Sequence, residues 1–144
     1  MTNTAVRALE PTALWNHFAD LNAVPRPSKK EERVIAFAKA FGEGLGLPTY
    51  VDEAGGSHTL SVRAVDEAGN VIITKPGTAG KENAPTVVLQ SHLDMVHQKN
   101  NDTVFDFATE GIRMRVDGDW VKAEGTTLGA DNGIGVASIM ALLA

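Results

Sequence analysis

The sequence predicts an α/β domain, and three patterns along the chain lead to that prediction. Two segments space their apolar residues as amphipathic helices do, and later segments alternate apolar and polar residues or form short β-branched runs. Turn residues separate these segments, so helices and strands are mixed along the chain as in α/β domains. The 144 residues, 43% of them hydrophobic and 22% charged, suffice for one domain with a buried core.

Two amphipathic helices are predicted before residue 48. The first covers 11–20 and is ended by the prolines that follow it. Its apolar face consists of Leu14, Phe18 and Leu21. The second helix is expected to start at Ser28 and Glu31, whose spacing matches a capping box. Its buried face is expected to comprise Val34, Ala38, Phe41 and Leu45.

The pattern beyond Pro48 has a period of two residues, which is typical of strands. The alternating segment comprises Leu60, Val62 and Ala64. Turn residues at 66–70 lead from it to the β-branched run 71–73, so we expect a hairpin here. The apolar run 86–90 is predicted to be a strand buried on both faces.

The last third of the chain predicts a second hairpin and a helix. Asp117 and Gly118 form a dipeptide typical of two-residue turns, which places a hairpin in 113–123. A glycine-rich turn then leads into the apolar helix 134–144, which lacks the Gly, Asn or basic last turn that usually ends a helix. We therefore expect residues 1–144 to be the N-terminal portion of a larger domain; the alternative is a C-terminal helix docked in the core.

Composition excludes several classes of function. The chain has 13 basic and 18 acidic residues and a net charge of −5, so nucleic acid and anionic membrane surfaces are not expected as partners. It has no cysteine, which excludes disulfide frameworks, zinc fingers and thiol nucleophiles. The start of the chain has no apolar run typical of a signal peptide, and no stretch approaches the ~18 apolar residues of a membrane span. These features predict a cytoplasmic protein.

The first candidate site is His92 with Asp94, directly after the predicted strand 86–90. Ligands of α/β sheets bind at the carboxyl ends of strands. Residues two apart in extended chain point to the same side, so the Asp94 carboxylate is expected to reach the imidazole. A carboxylate on one ring nitrogen leaves the other free to bind a metal. The alternative is a histidine at a strand end and an aspartate that caps the next turn.

The second candidate site is Asp131, within a segment that has glycines at 129, 133 and 135. A carboxylate has two oxygens and can bridge two metal ions. The alternative role of Asp131 is an N-cap of the helix that follows. The glycines indicate a tight backbone or a close approach to a ligand. Their spacing matches neither a dinucleotide fingerprint nor a P-loop, which weakens a third alternative, a nucleotide- or phosphate-binding protein.

Both candidate sites lie in longer stretches that resemble a known family. These stretches are 87–96, 98–103 and 125–135, and Trp15, Pro25, Pro27, Ser28, Glu31 and Glu32 resemble the family's start. The chain resembles the bacterial aminoacyl-histidine dipeptidases, also called cytosol non-specific dipeptidases, which are di-zinc metallopeptidases related to carnosinase and aminoacylase. The resemblance implies the N-terminal part of a three-layer α/β/α catalytic domain.

The resemblance also implies a role for each matched residue. His92 would bind one zinc ion, Asp131 would bridge two, and Asp94 would be the catalytic-site aspartate that orients His92. The cofactor would be Zn²⁺, two ions per complete site, with Co²⁺ or Mn²⁺ as possible replacements. A cis peptide bond would follow Asp131. The implied substrate is a small peptide, Xaa-His or another dipeptide, and the full-length protein would be a homodimer.

The chain departs from the family pattern in two places. The segment 49–64 looks like an insertion that extends a hairpin. The family's glutamate pair, later zinc ligands and lid and dimerisation domain have no counterpart in residues 1–144, so we expect no activity from these residues alone. The alternatives are a non-catalytic relative that serves as an interaction module, and a related aminoacylase or tripeptidase.

Overall fold

A computed structural model describes residues 3–51 and 69–144 of the chain. These residues divide into two compact units, one formed by 3–34 with 89–144 and the other by 35–51 with 69–88. The helices are α1 (Thr4–Arg7), α2 (Thr12–Ala23), α3 (Glu32–Gly44) and α4 (Ala130–Leu143). The strands are β1 (Thr49–Val51), β2 (Val71–Ile73), β3 (Met114–Asp117) and β4 (Trp120–Ala123). Helices and strands are mixed, as the α/β prediction requires.

The core of the first unit lies where α2 packs against α4. Phe18 and Leu21, from the predicted apolar face of α2, are completely buried, whereas Leu14 is only half-buried. The core cluster consists of Val6, Phe18, Ala19, Met95, Phe105, Ile112, Met114 and Ala137. Among the described residues, no helix is long and apolar enough to cross a membrane.

Strands β3 and β4 form the predicted second hairpin. They pair antiparallel with Met114 opposite Ala123 and Asp117 opposite Trp120. The two loop residues are therefore Gly118 and Asp119, one position later than Asp117-Gly118. Gly118 has a φ of +59°, which favours glycine at this loop position.

The second unit contains most of α3 and a two-stranded sheet. Strand β2 pairs antiparallel with β1, with Thr49 opposite Ile73 and Val51 opposite Val71. The strand that the sequence places at 60–64, and most of the predicted insertion 49–64, lie outside the described residues. The observed partner of β2 therefore comes from the segment that precedes them.

The prediction of a buried strand at 86–90 is wrong. Val87, Val88 and Leu89 are 78%, 83% and 51% exposed, and none of the described strands includes them. A buried strand needs neighbouring strands to hydrogen-bond its backbone and cover both faces. Within the described part of the chain, no segment pairs with 86–90.

The expected capping box and the burial of Leu45 are also wrong. Helix α3 begins at Glu32, and the Ser28 hydroxyl donates to the Asp94 carboxylate, 2.5 Å away, instead of capping the helix. The Glu31 carboxylate accepts a hydrogen bond from the backbone of Lys29. Leu45 lies just after the end of α3 and is 38% exposed, since the apolar face of the helix does not continue to it.

We expect Val6→Ala to lower the free energy of unfolding by about 2 kcal/mol, because Val6 is fully buried in the core cluster. Val104→Ala removes the same atoms from a side chain that is 87% exposed and should change it by less than about 0.5 kcal/mol. Urea unfolding measures both values. Equal losses in the two variants would contradict the placement of this core.

Candidate metal centre

His92 and Asp94 lie on the segment that precedes Met95 and face each other as the sequence predicts. The His92 Nδ1 is 3.1 Å from Asp94 Oδ1 and 3.1 Å from the Asp94 backbone oxygen. The His92 side chain is 47% exposed. Its second ring nitrogen, Nε2, is therefore free to point at another group.

That second group is Asp131, which lies thirty-nine positions further along the chain. His92 Nε2 is 3.2 Å from Asp131 Oδ1. The Asp131 side chain is 97% exposed, so it is open to solvent as well as to the imidazole. The structure thus brings all three candidate residues together.

In the described residues the Asp131 carboxylate contacts His92 Nε2 and accepts from no backbone N–H of α4. The cap position of α4 is Gly129, and no side chain caps the helix. Asp131 and Asn132 have non-helical backbone angles, and the peptide bond between them is cis, as the resemblance implies. Because no backbone N–H of α4 in the described residues donates to its carboxylate, the alternative role of Asp131 as an N-cap is wrong.

The imidazole of His92 has a carboxylate oxygen at each of its two nitrogens. A neutral imidazole carries one N–H, and an ionised carboxylate only accepts hydrogen bonds. If Nδ1–H donates to Asp94, then Nε2 and Asp131 Oδ1 present two lone pairs to each other. Such a pair attracts a cation. In the described residues no group of three or more His, Asp or Glu side chains is placed to hold a metal.

Sequence reasoning missed Ser28, which holds Asp94 from the side opposite His92. The Ser28 hydroxyl donates to Asp94 Oδ2 at 2.5 Å, whereas Asp94 Oδ1 faces His92. This hydrogen bond, and then the nearby His92, hold the pKa of the Asp94 carboxyl below its usual value, while partial burial opposes them. Asp94 therefore stays ionised and keeps its hydrogen bond to the ring. Ser28 and Asp94 are sixty-six positions apart, so spacing gave no signal.

Sequence reasoning also missed Arg26, which lies beneath the site and is only 1% exposed. Its Nη1 donates to the backbone oxygen of Leu93 at 2.9 Å and lies 3.4 Å from that of Asp94. Its Nη2 donates to Asn22 Oδ1 and to the backbone oxygen of Gly129, both at 2.8 Å. A lone arginine between two prolines resembles a surface residue of a loop, so the sequence contained no sign of this role.

The glycines near Asp131 make room for the protein's own side chains. A Cβ atom on Gly129 would lie 2.5 Å from Arg26 Nη2, and one on Gly133 would lie 2.8 Å from the same nitrogen. A Cβ on Gly135 would overlap the Asn132 side chain. The close approach that these glycines indicate is therefore an internal one, made chiefly by Arg26.

His97, which also lies near this segment, is not part of the site. Its ring lies edge-on against that of Phe107, with 5.8 Å between the ring centroids. His58 lies outside the described residues.

The chain matches no protein-family model, but it is similar to two proteins that are named as dipeptidases. It is 48% identical over 136 residues to the cytosol non-specific dipeptidase of Escherichia coli (strain K12). The aligned residues make up 94% of this chain and 25% of that protein. It superposes on the aminoacylhistidine dipeptidase of Vibrio alginolyticus with a TM-score of 0.84 and 43% identity, covering 96% of this chain and 26% of the other.

A more distant structure shares the fold alone. It is a tripeptidase from Staphylococcus aureus subsp. aureus Mu50, with a TM-score of 0.67 and 24% identity over 94% of this chain and 32% of that one. Residues 1–144 thus span about a quarter of the length of the dipeptidases that they match.

We expect Ser28→Ala to raise the pKa of the Asp94 carboxyl toward its ordinary value, because the largest cause of its lowering is removed. The lowered pKa stabilises the fold at pH values above the unfolded-state pKa, and this contribution is lost as the pH falls through the folded-state value. The stability difference between wild type and Ser28→Ala should therefore shrink in acid. Carbon-13 NMR titration of Asp94 measures the pKa.

Ser138→Ala is the matched control, because the Ser138 hydroxyl donates within α4 to the backbone oxygen of Ile134. It should leave the pKa of Asp94 unchanged. An Asp94 pKa that is the same in wild type and Ser28→Ala would show that the hydroxyl does not act on this carboxylate.

Proposed function

We propose, from the membership of this chain in the family of aminoacyl-histidine dipeptidases, that the full-length protein hydrolyses dipeptides, including Xaa-His, with the help of bound divalent metal. The relatives are named as dipeptidases, and the chain matches about a quarter of their length with 48% and 43% identity. The substrate is a small peptide. The cytosolic name of the Escherichia coli relative and the lack of cysteine support a cytoplasmic location.

The observation that carries the proposal is the 3.2 Å approach of His92 Nε2 to Asp131 Oδ1. Zinc binds imidazole nitrogen and carboxylate oxygen at about 2.0–2.2 Å, so two ligands of a tetrahedral zinc lie about 3.4 Å apart. The two donors have nearly this spacing. They also have the chemistry of a zinc site, a nitrogen and an oxygen lone pair with no hydrogen between them when Nδ1 carries the proton.

Four residues of this chain would take part in holding the metal. His92 would bind through Nε2 while its Nδ1–H donates to Asp94, which fixes the tautomer and makes Nε2 more basic. Ser28 would keep Asp94 ionised and in place. Asp131 has a second carboxylate oxygen, and its 97% exposure leaves that oxygen open for a second ion.

Bound zinc would lower the pKa of a coordinated water toward about 7 and polarise the scissile carbonyl. Zinc is the metal that we propose, and Co²⁺ and Mn²⁺ also suit these ligands. Two protein donors do not complete a four-coordinate site. The remaining ligands, the general base and the surfaces that would form a homodimer are expected from sequence beyond residues 1–144.

We expect the full-length protein to lose dipeptide hydrolysis on treatment with a chelator and to regain it when Zn²⁺ is added. His92→Ala should lower the activity at least about 100-fold, because it removes a proposed ligand. His97→Ala is the matched control and should leave the activity within about twofold, since His97 packs on Phe107. Activity that resists complete metal removal would overturn the proposal.

We expect residues 1–144 alone to release no amino acid from a dipeptide, with or without Zn²⁺. In the part of the chain that the structure describes, only His92 and Asp131 converge as donors, and no third acidic or histidine ligand joins them. A coupled assay for free amino acid, repeated at several protein concentrations, checks this. Turnover proportional to the concentration of this chain would show that the site is already complete.

A further inference from the structure

The buried guanidinium of Arg26 connects the two segments that carry the candidate metal ligands. Its Nη1 donates a hydrogen bond to the backbone oxygen of Leu93, the residue after His92. Its Nη2 donates a hydrogen bond to the backbone oxygen of Gly129, two residues before Asp131. Each ligand is thus within two positions of a carbonyl that Arg26 holds, and the two carbonyls are held by one planar group of fixed size.

The position of Arg26 is itself fixed by backbone hydrogen bonds. The Met95 N–H donates to the Arg26 backbone oxygen at 3.0 Å, and the Ser28 N–H donates to the Met95 backbone oxygen at 3.1 Å. Pro27 and Met95 form the bridge between these two parallel segments. The segment that contains Arg26 therefore lies alongside the residues that follow His92, and the Arg26 side chain extends from there to Gly129.

The segment that carries Asp131 leaves room for the guanidinium of Arg26. Gly129 has a φ of +72°, and side chains at Gly129 and Gly133 would come within 2.8 Å of Arg26 Nη2. Asn22, itself 1% exposed, accepts from that nitrogen and donates to the backbone oxygen of Leu128 at 3.2 Å. Burial lowers the pKa of Arg26 to about 10, and the nearby Asp94 opposes that shift, so the side chain is still charged at neutral pH.

We propose that Arg26 is a positioning residue of the metal centre, which holds the backbone at Leu93 and Gly129 so that His92 Nε2 and Asp131 Oδ1 are spaced for a shared ion before the metal arrives. The inference rests on the proposed function, since it concerns the same metal. Arg26 does not touch the ion. Its contribution is to remove the need to reorganise two backbone segments when the metal binds.

The test is zinc affinity in the metal-free full-length protein, measured by competition with a chromophoric chelator. We expect Arg26→Met to weaken Zn²⁺ binding about 10–100-fold, the range typical for loss of a group that orients metal ligands. Arg26→Lys keeps the charge but has one terminal nitrogen where the guanidinium has two, so it cannot reproduce the planar two-sided contact. We expect it to remain at least about tenfold weaker than wild type. If Arg26→Met does not fold, the zinc affinity of Arg26→Lys alone tests the proposal.

Arg7→Met is the matched control for general loss of stability. Arg7 also donates several hydrogen bonds, to Asn16 Oδ1 at 3.1 Å and Asp20 Oδ1 at 2.6 Å, but none to the segments of the site. Zinc affinity should stay within about twofold of wild type in Arg7→Met, even where urea unfolding shows that it is destabilised. The visible absorption of the Co²⁺-substituted protein should change in the Arg26 variants and stay unchanged in Arg7→Met.

The outcomes separate this inference from the proposed function. If the wild-type protein binds zinc and both Arg26 variants bind it equally well, the positioning role is overturned and the metal site stands. Wild-type affinity in Arg26→Lys alone would also overturn it, since charge would then suffice. If the full-length wild-type protein binds no divalent metal, both are overturned.

Discussion

A buried arginine sets the geometry on which the candidate site depends. A guanidinium that is almost completely buried needs hydrogen-bond acceptors, because an unpaired buried charge costs several kcal/mol. Arg26 finds its acceptors in the carbonyls at Leu93 and Gly129, so these two distant parts of the chain have to lie on either side of it. The meeting of His92 with Asp131 follows from that arrangement and from the glycines that leave space for the guanidinium.

A series of side-chain contacts runs from Ser28 to the two candidate metal ligands, His92 and Asp131. Ser28 donates to Asp94, Asp94 faces Nδ1 of His92, and Nε2 of His92 faces Asp131. Each contact limits the next: the hydroxyl favours the ionised carboxylate, and the carboxylate favours a proton on Nδ1. With the proton on Nδ1, the Nε2 lone pair would point at the solvent-exposed carboxylate of Asp131. Such a pair of donors has the chemistry that a divalent ion requires.

Local patterns predicted the features that depend on residues close together in the sequence. The face of α2 and the hairpin β3–β4 follow from apolar spacing and a turn dipeptide, and the reach of Asp94 to His92 follows from their separation by two residues. The run 86–90 shows the limit, because an apolar β-branched segment becomes a buried strand only when neighbours pair with it. The role of Arg26 could not be predicted either, because the two carbonyls that it holds are 67 and 103 positions away and no spacing rule connects them to it. The glycines were recognised as sites of close approach, but the approaching group could not be named.

The most direct measurement is an anomalous difference map at the zinc absorption edge, from crystals of the full-length protein grown with Zn²⁺. We expect a strong peak within about 2.0–2.2 Å of both His92 Nε2 and an Asp131 oxygen. A saturated crystal with its zinc elsewhere, or with His92 and Asp131 in direct contact and no ion between them, would contradict the metal centre and with it the assignment of peptide hydrolysis to these residues.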